Sequence, residues 1–118
     1  MAEHEKAVTE ALMGLGRLDA KRWKEVHKSY RPDAEFDDWY LEIDMGTESK
    51  GKVVQRIRIL SGAPKKILFV VPSATRLHRI GTLAKPLGDR VWYTNLRYIS
   101  ERWIDHKGEP CQALHGEN

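Results

Sequence analysis

The sequence predicts an α/β fold with a mixed central sheet flanked by helices, and three observations carry that reading. Residues 66–72, Lys-Ile-Leu-Phe-Val-Val-Pro, form a continuous apolar run rich in β-branched side chains, which suits a central strand buried on both faces. Residues 39–45, Trp-Tyr-Leu-Glu-Ile-Asp-Met, alternate between an oily and a polar set, as a strand with two different faces does. Between them Val53, Val54, Ile57 and Leu60 recur at helical spacing. Strand, helix and strand in that order make a βαβ unit, whose crossover is right-handed.

The elements follow in chain order. Val8, Leu12 and Leu15, with Ala7 and Ala11 beside them, predict a helix over 3–15, ended by Gly14 and Gly16. Residues 17–30 are charge-dense and read as a loop plus a short helix or strand, with Trp23 turned inward. Their basic residues are either phosphate contacts or a solvated face. Residues 31–37 predict a short strand, because Pro32 is acceptable at a strand start and not in its centre. Asp37-Asp38 turns into the strand 39–45, making a hairpin without the favoured Asn-Gly or Asp-Gly pair. Thr47 or Ser49 caps the next helix, with Glu48 near its positive end, and Gly62 and Pro64 stop it. After the 66–72 strand, Ser73 caps a helix through Lys85, with Leu77, Ile80 and Leu83 or Ala84 inward. Gly88-Asp89 turns the chain, residues 90–95 form a last strand, and 96–104 a short helix. The expected organisation is one domain over 1–105 and a polar, frayed tail over 106–118.

Composition narrows the class. The chain has 118 residues, 41% hydrophobic and 31% charged, which fits a soluble domain with a modest core. Lys and Arg number 20 against 17 Asp and Glu, for a net charge of +3 and a pI near 9.1. That mild excess is compatible with a polyanionic partner. Cys111 stands alone, so an intrachain disulfide and a cysteine-based zinc site are excluded and a reducing cytoplasm is expected. The N-terminus is charged, and the longest apolar run is Ile67–Val71, so neither a signal peptide nor a membrane span is expected.

The chemistry is expected around Trp39–Thr47. Trp39, Leu41 and Ile43 share one strand face; Tyr40, Glu42 and Asp44 share the other. Asp33 starts the preceding strand, and Glu10 stands at the edge of the first helix's buried face. Oxygen ligands without clustered Cys or His favour Mg²⁺ or Mn²⁺, so Asp33, Glu42 and Asp44 are the candidate metal ligands. Such an ion activates water and neutralises charge on a phosphodiester. Lys52 and Arg56, four apart on the next helix, are placed to orient the nucleophile. The plainer alternative is that Glu42 and Asp44 are simply solvated. The five histidines show no ligand spacing, Ser73 is a helix cap rather than a nucleophile, and no glycine-rich phosphate loop is present.

Several of these stretches resemble a known family. They are Arg31-Pro32-Asp33, Leu41-Glu42-Ile43-Asp44-Met45-Gly46-Thr47-Glu48 and Leu68-Phe69-Val70-Val71-Pro72-Ser73, supported by His4–Ala11 and Val91–Leu96. Over residues 4–96 the chain resembles the C-terminal nuclease-like domain of the plasmid replication-relaxation family. That family is similar to the PD-(D/E)xK, or restriction-endonuclease-like, superfamily, with its αβββαβ core. The resemblance implies that Asp33 is the acid of the Pro-Asp element, Glu42 the metal-binding acid and Glu10 an added helix carboxylate. It implies a metal-dependent DNA endonuclease of a plasmid or phage, acting in replication, relaxation or processing. A two-fold homodimer would let one small domain address two strands. The alternative it implies is a catalytically inactive, nuclease-like DNA-binding protein. Two departures bear on that choice. Asp44 stands where the superfamily has lysine, and Arg56 and Leu60 stand where the family usually has a lysine and, four residues on, an aromatic residue. Arginine stays charged and gives up no proton at neutral pH.

Overall fold

The computed structural model describes residues 3–22, 32–63, 65–95 and 102–115. The helical spacing of Val8 and Leu12 is realised in α1 (Glu3–Leu15). Then come β1 (Lys21–Arg22), β2 (Ala34–Phe36), β3 (Trp39–Ile43), α2 (Lys50–Ser61), β4 (Lys66–Val71) and α3 (Ala74–Leu83). A 3-10 turn (Lys85–Arg90) leads into β5 (Val91–Asn95), and a short α4 (Gln112–His115) closes the described chain. The five strands form one sheet in the order β1-β2-β3-β4-β5. β1–β2 and β2–β3 are antiparallel, while β3–β4 and β4–β5 are parallel. The predicted α/β class and mixed sheet are therefore found.

Strand alternation divides the core in two. Leu41 and Ile43 of β3, with Leu68 and Val70 of β4, pack against Ala7, Val8, Ala11 and Leu12 of α1. Ile67, Phe69 and Val71 of β4, with Tyr93 of β5, meet Val53, Ile57 and Leu60 of α2 and Ile80 of α3. β4 is covered on both faces, as its unbroken apolar run requires. Each of these large side chains, fully buried, contributes about 1.5–3 kcal/mol.

Boundaries shift for local reasons. Asp37 adopts φ 48 in the β2–β3 turn, a left-handed position that Asp tolerates. β3 stops at Ile43, although the Asp44 amide still donates to the Val70 carbonyl at 2.8 Å. Gly46, at φ 78, then turns the chain, and a Cβ there would lie 3.1 Å from Pro72 Cγ. Of the two cap candidates it is Ser49 that accepts from the Lys52 amide. Ser73 caps α3 through the Arg76 amide, as expected. α3 ends at Leu83, where the Pro86-containing 3-10 turn takes over.

The C-terminal part departs most from expectation. The helix expected over 96–104 lies partly outside the described residues, but Ile104 is extended and bridges Tyr93 in antiparallel fashion. Ile104 also bridges Pro110, and the Cys111 amide donates to the Trp103 carbonyl at 2.8 Å. Trp103 and Cys111 are both buried in the α1-side core. The stretch expected to be a polar tail is thus folded back through residue 115, because two apolar side chains amid the charges find a place beside α1. Trp23 and Arg31 fall outside the described residues. No helix among the described residues is long and apolar enough to cross a membrane.

Candidate functional site

Alternation along β3 sends Glu42 to the α2 side of the sheet, where it is 1% exposed. Helical spacing on α2 sets Arg56 between the inward Val53 and Leu60, so its long side chain reaches back over the strand. Arg56 Nη1 donates to Glu42 Oε1 at 2.9 Å, and Nη2 donates to Glu48 Oε2. Burial works against the Arg56 charge, but the negative Glu42, Glu48 and Asp33 outweigh it and hold the guanidinium above its ordinary pKa. Three carboxylates therefore act on one cation.

Asp44 has a different partner. It is 2% exposed and receives Arg76 Nε at 2.6 Å and Nη2 at 3.0 Å, one on each carboxylate oxygen. That two-pronged match fixes direction as well as charge. Arg76 also donates to the Glu48 carbonyl at 3.3 Å. The loop carrying Glu48 is thus tied to both helices: its side chain to Arg56 and its backbone to Arg76.

Asp33, 1% exposed, is built into the sheet. Its Oδ2 accepts the Ile43 amide at 2.7 Å, and its own amide donates to the Leu41 carbonyl at 3.0 Å. Its Oδ1 lies 3.0 Å from His4 Nε2 on α1, and His4 Nδ1 lies 3.1 Å from Glu5 Oε2. One carboxylate so joins β2, β3 and α1.

The predicted residues are accordingly divided. Asp33 and Glu42 are buried within electrostatic reach of Arg56, whereas Asp44 belongs to Arg76. Glu10 is exposed on α1, and it is His4 that reaches Asp33. Lys52 is exposed, one turn before Arg56. Leu60, where the resembled family has an aromatic residue, is buried core. Among the described residues, no group of three His, Cys, Asp or Glu is arranged to hold a metal ion. Sequence reasoning missed Glu48, Arg76 and His4. Glu48 lies in the loop after the Gly46 turn, beyond the reach of strand alternation. Arg76 was signalled by the parallel β3–β4 pairing, which brings the first turn of α3 to the end of β3.

Charge is segregated around this centre. Between Glu48 and Asp89 the chain has nine Lys or Arg and no Asp or Glu. Arg56 and Arg76 turn inward, while Lys50, Lys52, Arg58, Arg79 and Lys85 are exposed. Across the sheet, α1 carries Glu3, Glu5 and Glu10 against a single Lys6. No protein-family profile, curated protein or solved structure matches the chain.

Proposed function

We propose that this chain is a cytoplasmic DNA-acting domain of a plasmid or phage, with a restriction-endonuclease-like core. Its activity is metal-dependent phosphodiester hydrolysis at the Asp33–Glu42–Arg56 centre. The observation that carries the reading is the Arg56 guanidinium held by both Glu42 and Glu48, beside a stretch between Glu48 and Asp89 that has nine basic residues and no acid. The order α1-β1-β2-β3-α2-β4, with antiparallel pairs followed by a parallel one, supports the αβββαβ assignment.

The donor set is oxygen-only, the kind that Mg²⁺ or Mn²⁺ takes. Arg56 already draws one oxygen each of Glu42 and Glu48 to positive charge. Asp33 and Glu42 would hold the ion; Asp44, with both oxygens on Arg76, instead orients that arginine. When bound, the ion supplies water activation and charge neutralisation at phosphorus. Arg56 binds a phosphate oxygen and, being always charged, takes no proton. Lys50, Lys52, Arg58 and Arg79 meet the DNA backbone as exposed phosphate contacts. A homodimer brings two such centres to the two strands.

A second reading, DNA binding without cleavage, is favoured by the two bonds Arg56 makes to Glu42 and Glu48. In that case a cation already fills the centre. One experiment separates the two. Supercoiled, linear and branched DNA are incubated with the protein in Mg²⁺, Mn²⁺ or chelator. Metal-dependent cleavage lost in Glu42→Gln is expected. Salt-sensitive binding without cleavage in every condition would refute the enzyme and leave the second reading. Absence of salt-sensitive binding would refute both, because phosphate contacts give a steep salt dependence.

A further inference from the structure

A cavity of about 320 Å³ opens between α3, the 3-10 turn, β5 and residue 106. Its lining joins the apolar Leu77 and Val91 and the ring of Tyr93 to the polar His78, Lys85 and His106. Tyr93 is held in place by stacking with Phe69, centroid to centroid 6.1 Å. Burial pushes its hydroxyl up to about 12, so it stays neutral and able to donate. The acid that pairs on this side is Asp89, 3.6 Å from His106 Nε2.

Gly81 also lines the cavity, inside α3. Glycine is the least favourable residue in a helix interior after proline. A Cβ built at Gly81 meets nothing within 4 Å. Close packing of another element therefore does not account for the glycine. What its missing side chain does is leave the cavity open.

We propose that this cavity binds a single nucleotide, its ring against Leu77, Val91 and Tyr93 and its phosphate on Lys85, His78 and His106. The volume is at the low end for small-molecule sites, enough for one nucleotide and not for a duplex. A wholly apolar ligand would leave the polar part of the lining unused, and inorganic phosphate would leave the apolar part uncovered. The choice of a nucleotide rests on the DNA-acting reading. The nucleotide comes either from the free pool or from a DNA strand.

Calorimetric titration of the whole chain tests this with dTMP, dAMP, thymidine, inorganic phosphate and a short single-stranded oligonucleotide. Binding of a monophosphate at least tenfold tighter than thymidine or phosphate assigns the free source. Binding of the oligonucleotide alone assigns the strand. In either case Gly81→Leu is expected to weaken binding at least tenfold, while Gly81→Ala keeps it, and both variants unfold at or above the wild-type midpoint. No binding by any of the five probes overturns the proposal, and so does full binding by folded Gly81→Leu. Duplex retention, measured in parallel, keeps the two readings apart: a cavity that fails while duplex DNA is still retained sinks only the nucleotide site.

Discussion

The Glu42–Arg56 pair supports a double-mutant cycle with a magnitude set by its burial. Glu42 is 1% exposed, and the Arg56 side chain is 17% exposed. Two unit charges about 4 Å apart at an effective dielectric of ~20 attract by about 4 kcal/mol. Removing one partner of a buried pair strands the other, at a cost of about 3–5 kcal/mol. Arg56→Met, which keeps the stem and loses the charge, should therefore destabilise by about 3–5 kcal/mol. Out of a typical total of about 5–15 kcal/mol, that is a drop in Tm on the order of 10–20 °C. Glu42→Gln should cost somewhat less, because the amide oxygen still accepts from Arg56. The double variant should recover much of the loss, with a coupling energy of about 2–4 kcal/mol. Urea denaturation with each of the four proteins measures this. Mn²⁺ adds a second arm: with the guanidinium gone, Glu42 and Glu48 lose the cation that both of them contact. Saturating Mn²⁺ should then stabilise Arg56→Met by about 1–3 kcal/mol more than wild type. Single-variant costs below about 1 kcal/mol and a coupling near zero would refute the claim that this pair organises the centre. An equal Mn²⁺ effect on both proteins would refute the convergence of acids on that point.

Gly46→Ala should cost about 1–2 kcal/mol, since φ 78 is a left-handed position and the new Cβ would press on Pro72; an unchanged Tm would contradict that. Asp33→Ala leaves the buried Ile43 amide without its 2.7 Å acceptor. Destabilisation of about 1–3 kcal/mol and roughly 10- to 100-fold faster exchange of that amide are expected. Asp105 loses some affinity for charge through burial, but the Glu109 and Lys107 amides more than offset this and hold its carboxyl below the usual range. A depressed carboxyl contributes stability above its unfolded value of about 3.9 and loses it as pH falls through the folded value. The protection factor of the Cys111 amide, corrected for the intrinsic pH dependence of exchange, should thus fall at low pH in wild type, and Asp105→Asn should remove that acid-side dependence. Lys50→Gln with Lys52→Gln should lower the salt slope of DNA retention by about two units, one per phosphate contact; an unchanged slope would place the DNA elsewhere.

Periodicity made much of the architecture legible. Period 2 in residues 39–45 and the unbroken run at 66–72 identified the strands, and the stripe Val53–Ile57–Leu60 identified α2. Those patterns reflect burial on one face or two, which any stable fold must satisfy. Glu42 and Asp33 were legible for a related reason: acids placed next to core positions draw notice. Their partners were not, because a long arginine reaches across elements and its target depends on register. Arg76 lies 32 residues from Asp44. Glu10 is exposed on α1, as helix-edge acids usually are. The C-terminal segment misled because the polarity around Cys111 outweighed that one small side chain, which is buried in the same core cluster as Trp103.

The docking of Trp103 and Cys111 beside α1 also sets an order of events during synthesis. The α2–α3 side of the sheet has its apolar residues once β5 is made, at residue 95. The α1 side, although its helix comes first, lacks Trp103 until residue 103 and Cys111 until residue 111 has been added. At translation rates of about 5–20 residues per second, the 16 residues between 95 and 111 take about 1–3 s. For that interval α1 covers an incomplete surface, so the nascent chain exposes apolar area on one side only. Chaperones that sample emerging chains would meet this protein through its α1 face.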